Sequence, residues 1–136
     1  MPSPDFDTVS LVTVDENQDA FVVGLLEDQT GDGAYLIFQC GLTPPDGQDA
    51  VTGLDSYCLL DEDGAVQYGG VLRVSLNGGT LTLELSEEAA EELGVDDADR
   101  SITLTVPIAD APRLSAGLRR IFTYGNPDKQ PQLVGL

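Results

Sequence analysis

Two apolar alternations of period two stand side by side between Tyr68 and Gly94. In the first, Leu72, Val74 and Leu76 alternate with Val71, Arg73 and Ser75. In the second, Leu81, Leu83 and Leu85 alternate with Thr80, Thr82 and Glu84. That period predicts two strands that each bury one face. Asn77-Gly78-Gly79 joins them as a hairpin, and two registers are open. A turn on Asn77-Gly78 suits the type I′ geometry and sets Val74 opposite Leu81 and Leu72 opposite Leu83. A turn on Gly78-Gly79 sets Leu76 opposite Leu81, Val74 opposite Leu83 and Arg73 opposite Glu84, the last pair worth roughly 0.2–1 kcal/mol. Both keep the leucines on one face, so the pattern does not choose. Ser86 follows as a helix N-cap, with Glu87 and Glu88 in the first turn where the helix dipole favours acids. Ala89, Ala90 and Leu93 form a narrow apolar stripe. Glu88, Glu91 and Glu92 face water, and Gly94 is predicted to end the helix.

Upstream, residues 6–14 read as a strand whose alternation slips at Leu11-Val12, the mark of a bulge or of a strand buried on both faces near its end. Ala20–Leu26 and Ala34–Cys40 are continuous apolar runs, read as paired central strands. Residues 41–55 hold Pro44, Pro45 and three glycines and predict a long surface loop. Ser56–Leu60 is a short strand, Asp61-Glu62-Asp63-Gly64 an acidic turn, and Gly69-Gly70 a bulge or a close backbone approach. Downstream, Ile102, Leu104 and Val106 share one strand face. Asp110 is placed to cap a second helix with Pro112 in its first turn. Leu114, Leu118, Ile121 and Phe122 form its apolar side, Arg119 and Arg120 suit its C-terminal end, and Gly125 stops it. The whole predicts an α+β fold: a mostly antiparallel sheet of about six to seven strands in meander order, with two helices in the C-terminal half packed on one face. Residues 1–125 form one domain and 126–136 a flexible tail.

Composition changes this picture through charge. Six basic residues stand against 24 acidic ones, a net charge of −18. Such a chain repels nucleic acid and anionic membranes and draws basic partners from a distance. A merely solvated or salt-adapted surface gives the same number. There is no histidine, which removes the usual general base, the nucleophile pairs built on it and the commonest zinc ligand. Asp61-x-Asp63-Gly64 begins as a calcium loop does, but the twelfth position is Leu72 where a Glu is required. No cofactor or metal is predicted. Tyr57 and Tyr68 read as core tyrosines with hydroxyls at the sheet edge, the alternative being a contact role. No leader or transmembrane run is seen, so a cytoplasmic location with Cys40 and Cys58 reduced is expected; a disulfide needs adjacent strands and an oxidising compartment. The residues by themselves argue for an acidic binding module and not for an enzyme.

The order of elements also resembles a known family. Phe21, Gly24-Leu25, Tyr35-Leu36-Ile37-Phe38-Gln39, Tyr57, Tyr68-Gly69-Gly70, Leu81-x-Leu83-x-Leu85-Ser86, Ala89-Ala90, Leu93-Gly94 and Leu118-x-x-Ile121-Phe122 are similar to the bacterial immunity proteins of polymorphic toxin systems, family ten. The likeness runs from about residue 20 to residue 122, and its most specific part is Tyr-Gly-Gly with the hairpin and helix. The resemblance implies a protein that binds and neutralises a cognate toxin by occluding it, without catalysis. Charge then points to a basic toxin domain, such as a nuclease, as partner. The partner-binding candidates are Asp61, Glu62 and Asp63 on one loop and Glu88, Glu91 and Glu92 on the first helix. An exposed sheet edge would allow a homodimer. Two readings compete: a general acidic adaptor or assembly subunit from a salt-adapted or acid-rich proteome, and a small enzyme using carboxylates or tyrosine, which a deep pocket with convergent carboxylates would support.

Overall fold

The computed structural model describes residues 8–18, 20–28, 33–42, 56–61, 64–93, 100–125 and 127–136. Five strands run as an antiparallel meander: β1 (Leu11–Glu16), β2 (Phe21–Leu26), β3 (Tyr35–Cys40), β4 (Cys58–Asp61) and β5 (Val66–Tyr68). A second sheet holds β6 (Val71–Asn77), β7 (Thr80–Leu85), β8 (Ser101–Thr105) and β9 (Gln132–Val134) in the order β8-β7-β6-β9. Helix α1 (Glu87–Glu92) follows β7, and α2 (Ala111–Phe122) follows β8 after a short 3-10 turn at Ile108–Asp110. The α+β class, the antiparallel meander and the two late helices match expectation. The single sheet does not: among the described residues nine strands divide into two sheets that share one core.

The division explains two features of the pattern. Val9 N–H donates to the Thr105 carbonyl at 2.7 Å, and Ser10 N–H to the Leu26 carbonyl at 2.9 Å. The chain therefore leaves the β8 edge of one sheet and joins the other within two residues. Val9 and Val12 are both buried, so the slip in alternation marks a change of sheet. The second junction is Gly69-Gly70, both in left-handed backbone, which carries the chain from β5 into β6.

The hairpin takes the Gly78-Gly79 turn. Leu76 faces Leu81, Val74 faces Leu83 and Arg73 faces Glu84, with Arg73 Nε 3.6 Å from Glu84 Oε2. Gly78 alone of the two turn residues has positive φ, 61°, as type II′ geometry asks of its first position. One expectation fails at the start of β6. The register shifts between Val71 and Arg73, so Val71 is buried and Leu72 is turned outward with 58% of its surface exposed. The bulge displaces Leu72 from the leucine face to which simple alternation assigns it.

Helix α2 packs on β1, β2 and β3, with Leu114, Leu118, Ile121 and Phe122 buried. Phe122 meets Phe38 edge-on at 5.7 Å and Tyr57 at 4.8 Å between ring centroids. Pro112 lies in its first turn as predicted, but Asp110 makes no side-chain cap; its carboxylate takes Arg113 at 3.2 Å. Within residues 127–136, the segment expected as a tail, β9 pairs in parallel with β6. Cys40 and Cys58 are free and buried. Gln39 stands opposite Cys58, so Cys58 shares the face of Gln39 while Cys40 points to the other, and the two thiols cannot join.

Candidate functional site

Helix α1 is short and is held at three points. Ser86 Oγ accepts the Ala89 N–H at 3.2 Å, which satisfies one of the free donors at the helix start. Ser86 N–H donates to the Gly70 carbonyl at 2.7 Å. Ala89, Ala90 and Leu93 are buried where the helix packs against β5 and β7. The approach is close enough to need Gly70, which has φ +87°; a Cβ there would lie 2.6 Å from that of Ala89. Burial of one side leaves Glu87, Glu88, Glu91 and Glu92 exposed on the other. Glu87 leans to Arg100, 3.9 Å away. Glu88, Glu91 and Glu92 form an acidic ridge on an anchored helix.

The other acidic candidates differ. Asp61 is 3% exposed. Its Oδ1 accepts the Ala65 N–H at 3.0 Å, and its carbonyl accepts the Gly64 N–H at 3.1 Å. Asp61 thus ties the turn between β4 and β5 and does not offer its carboxylate to solvent, against the expectation of an exposed charge. Glu62 and Asp63 lie outside the described residues, as do Gly94 and nearly all of the loop expected over 41–55.

The basic residues are largely used within the chain. Arg73, Arg100, Arg113 and Arg120 pair with Glu84, Glu87, Asp110 and Glu16. Arg120 also covers the Phe21 ring at 4.2 Å. Few cations are left to offset the acids elsewhere on the surface.

Burial pushes both thiols up from their ordinary value, Cys40 despite the nearby Arg120 and Cys58 despite hydrogen bonds from Tyr68 and Gln67. Neither is poised as a thiolate nucleophile. Among the described residues no three of the His, Cys, Asp and Glu side chains converge as metal ligands would, and no helix is long and apolar enough to cross a membrane.

Pattern analysis missed one surface. Tyr57 is a core residue as expected, but Tyr68 is 38% exposed and Val66 42%, side by side on the outward face of β5. The sign was present in the sequence: β2 and β3 are largely apolar at both parities, whereas both late helices were expected on one face and so leave the other uncovered.

The sequence matches the family described as Immunity protein 10 over residues 8–111. The match spans both sheets through β8 and stops as α2 begins, so the Leu118, Ile121 and Phe122 cluster lies beyond it. No curated protein and no solved structure matches the chain. With a match over 104 of 136 residues (8 to 111 inclusive), the chain belongs to the Immunity protein 10 family.

Proposed function

We propose that this protein binds a cognate toxin domain and neutralises it by occlusion, without catalysing a reaction. Membership in the Immunity protein 10 family carries this reading. The charge of −18 supports a basic partner, a nuclease domain among the candidates. The contacting acids are Glu88, Glu91 and Glu92 on α1, which lie together and exposed; Glu62 and Asp63, next in the sequence after β4, join them as candidates, whereas Asp61 is buried and binds the Ala65 N–H.

The test is co-expression with the product of the neighbouring gene, scoring host survival and co-purification. Rescue together with a stable complex is expected. A toxic neighbour that is neither bound nor neutralised counts against it as the partner. Reversing Glu88, Glu91 and Glu92 together to Lys is expected to slow association at low salt by tenfold or more and to flatten its salt dependence. Unchanged association kinetics would remove α1 from the contact.

A further inference from the structure

The two sheets treat their outer faces differently. On the four-stranded sheet the outward positions are mostly polar: Arg73, Ser75, Thr82, Glu84 and Thr103 stand opposite the buried leucine face, with Leu72 exposed at the bulge and Val134 beside Ser75 as apolar exceptions. This is the ordinary division of an antiparallel sheet with one wet side. On the five-stranded sheet the inner positions are apolar and lie in the core beside α2, but most of the outward positions are apolar too, with Thr13, Asp15 and Gln39 the polar ones. Val22, Leu26, Ile37, Leu60, Val66 and Tyr68 belong to that face by register. Gly24 sits among them, and its missing side chain leaves space filled by Thr13, Ile37 and Leu26. The first four are half-buried, and Val66 and Tyr68, on the edge strand, are exposed.

Charge borders this apolar ground. Helix α1 packs beside β5 and brings its exposed acids to that margin. At the opposite margin Asp15 pairs with Val22 on the outward side of β1 and is exposed. An apolar centre with a charged margin is the anatomy of a protein interface, where tyrosine is a frequent anchor and the margin governs approach. The margin also decides the occupant. A second copy would set acids against acids, between chains of −18 each. A surface with an apolar centre and a basic border meets both features.

Building on the reading of the protein as a toxin-binding module, we propose that the outer face of the five-stranded sheet is the grip on the toxin. Val66 and Tyr68, the exposed pair on edge strand β5, anchor the contact beside the acidic margin, and the partner surface is apolar with a lysine- and arginine-rich border. The acids of α1 then guide encounter, while the sheet face sets how long the complex lasts.

The test uses the toxin domain co-purified with the full chain. Val66→Thr with Tyr68→Thr keeps strand-forming residues at exposed positions, and thermal unfolding checks that the fold is retained. Thr82→Ala with Thr103→Ala, on the other sheet, is the control. The first variant is expected to dissociate at least 30-fold faster with association within about twofold of the parent, and the control to match the parent. A parent that protects and binds, with a Val66/Tyr68 variant that dissociates at the parental rate, would overturn the proposal and leave the immunity reading standing. A free parent that sediments as a dimer, and a variant that sediments as a monomer, would also overturn it by giving the face to a second copy. A parent that neither binds nor protects would remove the immunity reading and this proposal with it.

Discussion

Tyr57 holds together segments that are far apart in the chain. Its ring is fully buried against Phe122. Its hydroxyl accepts the Val71 N–H at 3.0 Å and lies 2.8 Å from the Lys129 carbonyl and 3.4 Å from that of Val71. One proton serves one acceptor well, and the shorter contact takes it. The hydroxyl therefore ties β4 to the start of β6 and to the C-terminal segment. Tyr57→Phe leaves the Val71 N–H buried without this partner, a loss of about 1–3 kcal/mol. The residue also makes stability depend on alkaline pH. Burial pushes its pKa from 10.0 up to about 12, against a smaller opposing effect of the Val71 N–H. The folded state keeps the proton while the unfolded chain loses it. The contribution is complete below pH 10 and is lost as pH rises through 12, by about 3 kcal/mol. Urea unfolding of the parent and of Tyr57→Phe, compared from neutral to strongly alkaline pH, is expected to show a gap that narrows across this window. A constant gap would mean that the hydroxyl ionises alike in both states.

The strand–turn–strand–helix unit shows what a local pattern can and cannot specify. Ser86 was legible because a capping serine needs only the next three residues to act. The hairpin register was left between two choices, since both turns preserve the leucine face; the structure takes the one that pairs Arg73 with Glu84. The bulge was legible in part: Gly69-Gly70 marked a bulge or a close approach, but not that Leu72 would be the residue displaced. It depends on Gly69-Gly70 turning the chain between sheets, and on Gly70 lying against Ala89, neither of which alternation records. The bulge inverts the expected cost of two neighbouring substitutions. Leu72→Thr is expected to change stability by less than about 0.5 kcal/mol, as for an exposed position. Val71→Ala removes buried methyls and is expected to cost about 1–3 kcal/mol. Denaturant melts of the two variants decide the matter; a large loss at Leu72 with none at Val71 would place Leu72 in the core and contradict the bulge.

At the scale of the molecule the sequence supplied the class, the meander and the two helices, because each rests on short-range periodicity. It did not supply the two sheets. Their separation is made by Val9 bonding to Thr105, 96 positions away, while Ser10 bonds to Leu26 in the other sheet, and by β9 returning to β6, with Gln132 opposite Arg73, 59 positions away. The acidic ridge of α1 was legible as three exposed glutamates, whereas Asp61, in an equally acidic stretch, was drawn inward by the Ala65 N–H. Net charge is the property in which whole-molecule effects outweigh pairs. The four ion pairs of Arg73, Arg100, Arg113 and Arg120 are substantially exposed, and such pairs contribute from nothing to about 1 kcal/mol each. Against them stands the mutual repulsion of a surface with 24 acids and six cations, which disfavours the compact state. Salt weakens both, but repulsion acts over a longer range and among more groups, so its relief is the larger effect. Raising sodium chloride from about 0.01 M to 0.15 M, which shortens the screening length from roughly 30 Å to 8 Å, is expected to raise the melting temperature by several degrees. Charge reversal of Glu88, Glu91 and Glu92 to Lys takes the net charge from −18 to −12, six units for three residues, and is expected to reduce that salt response. A melting temperature that falls with salt would instead show that the ion pairs outweigh the repulsion and that the acidic surface is balanced by specific contacts.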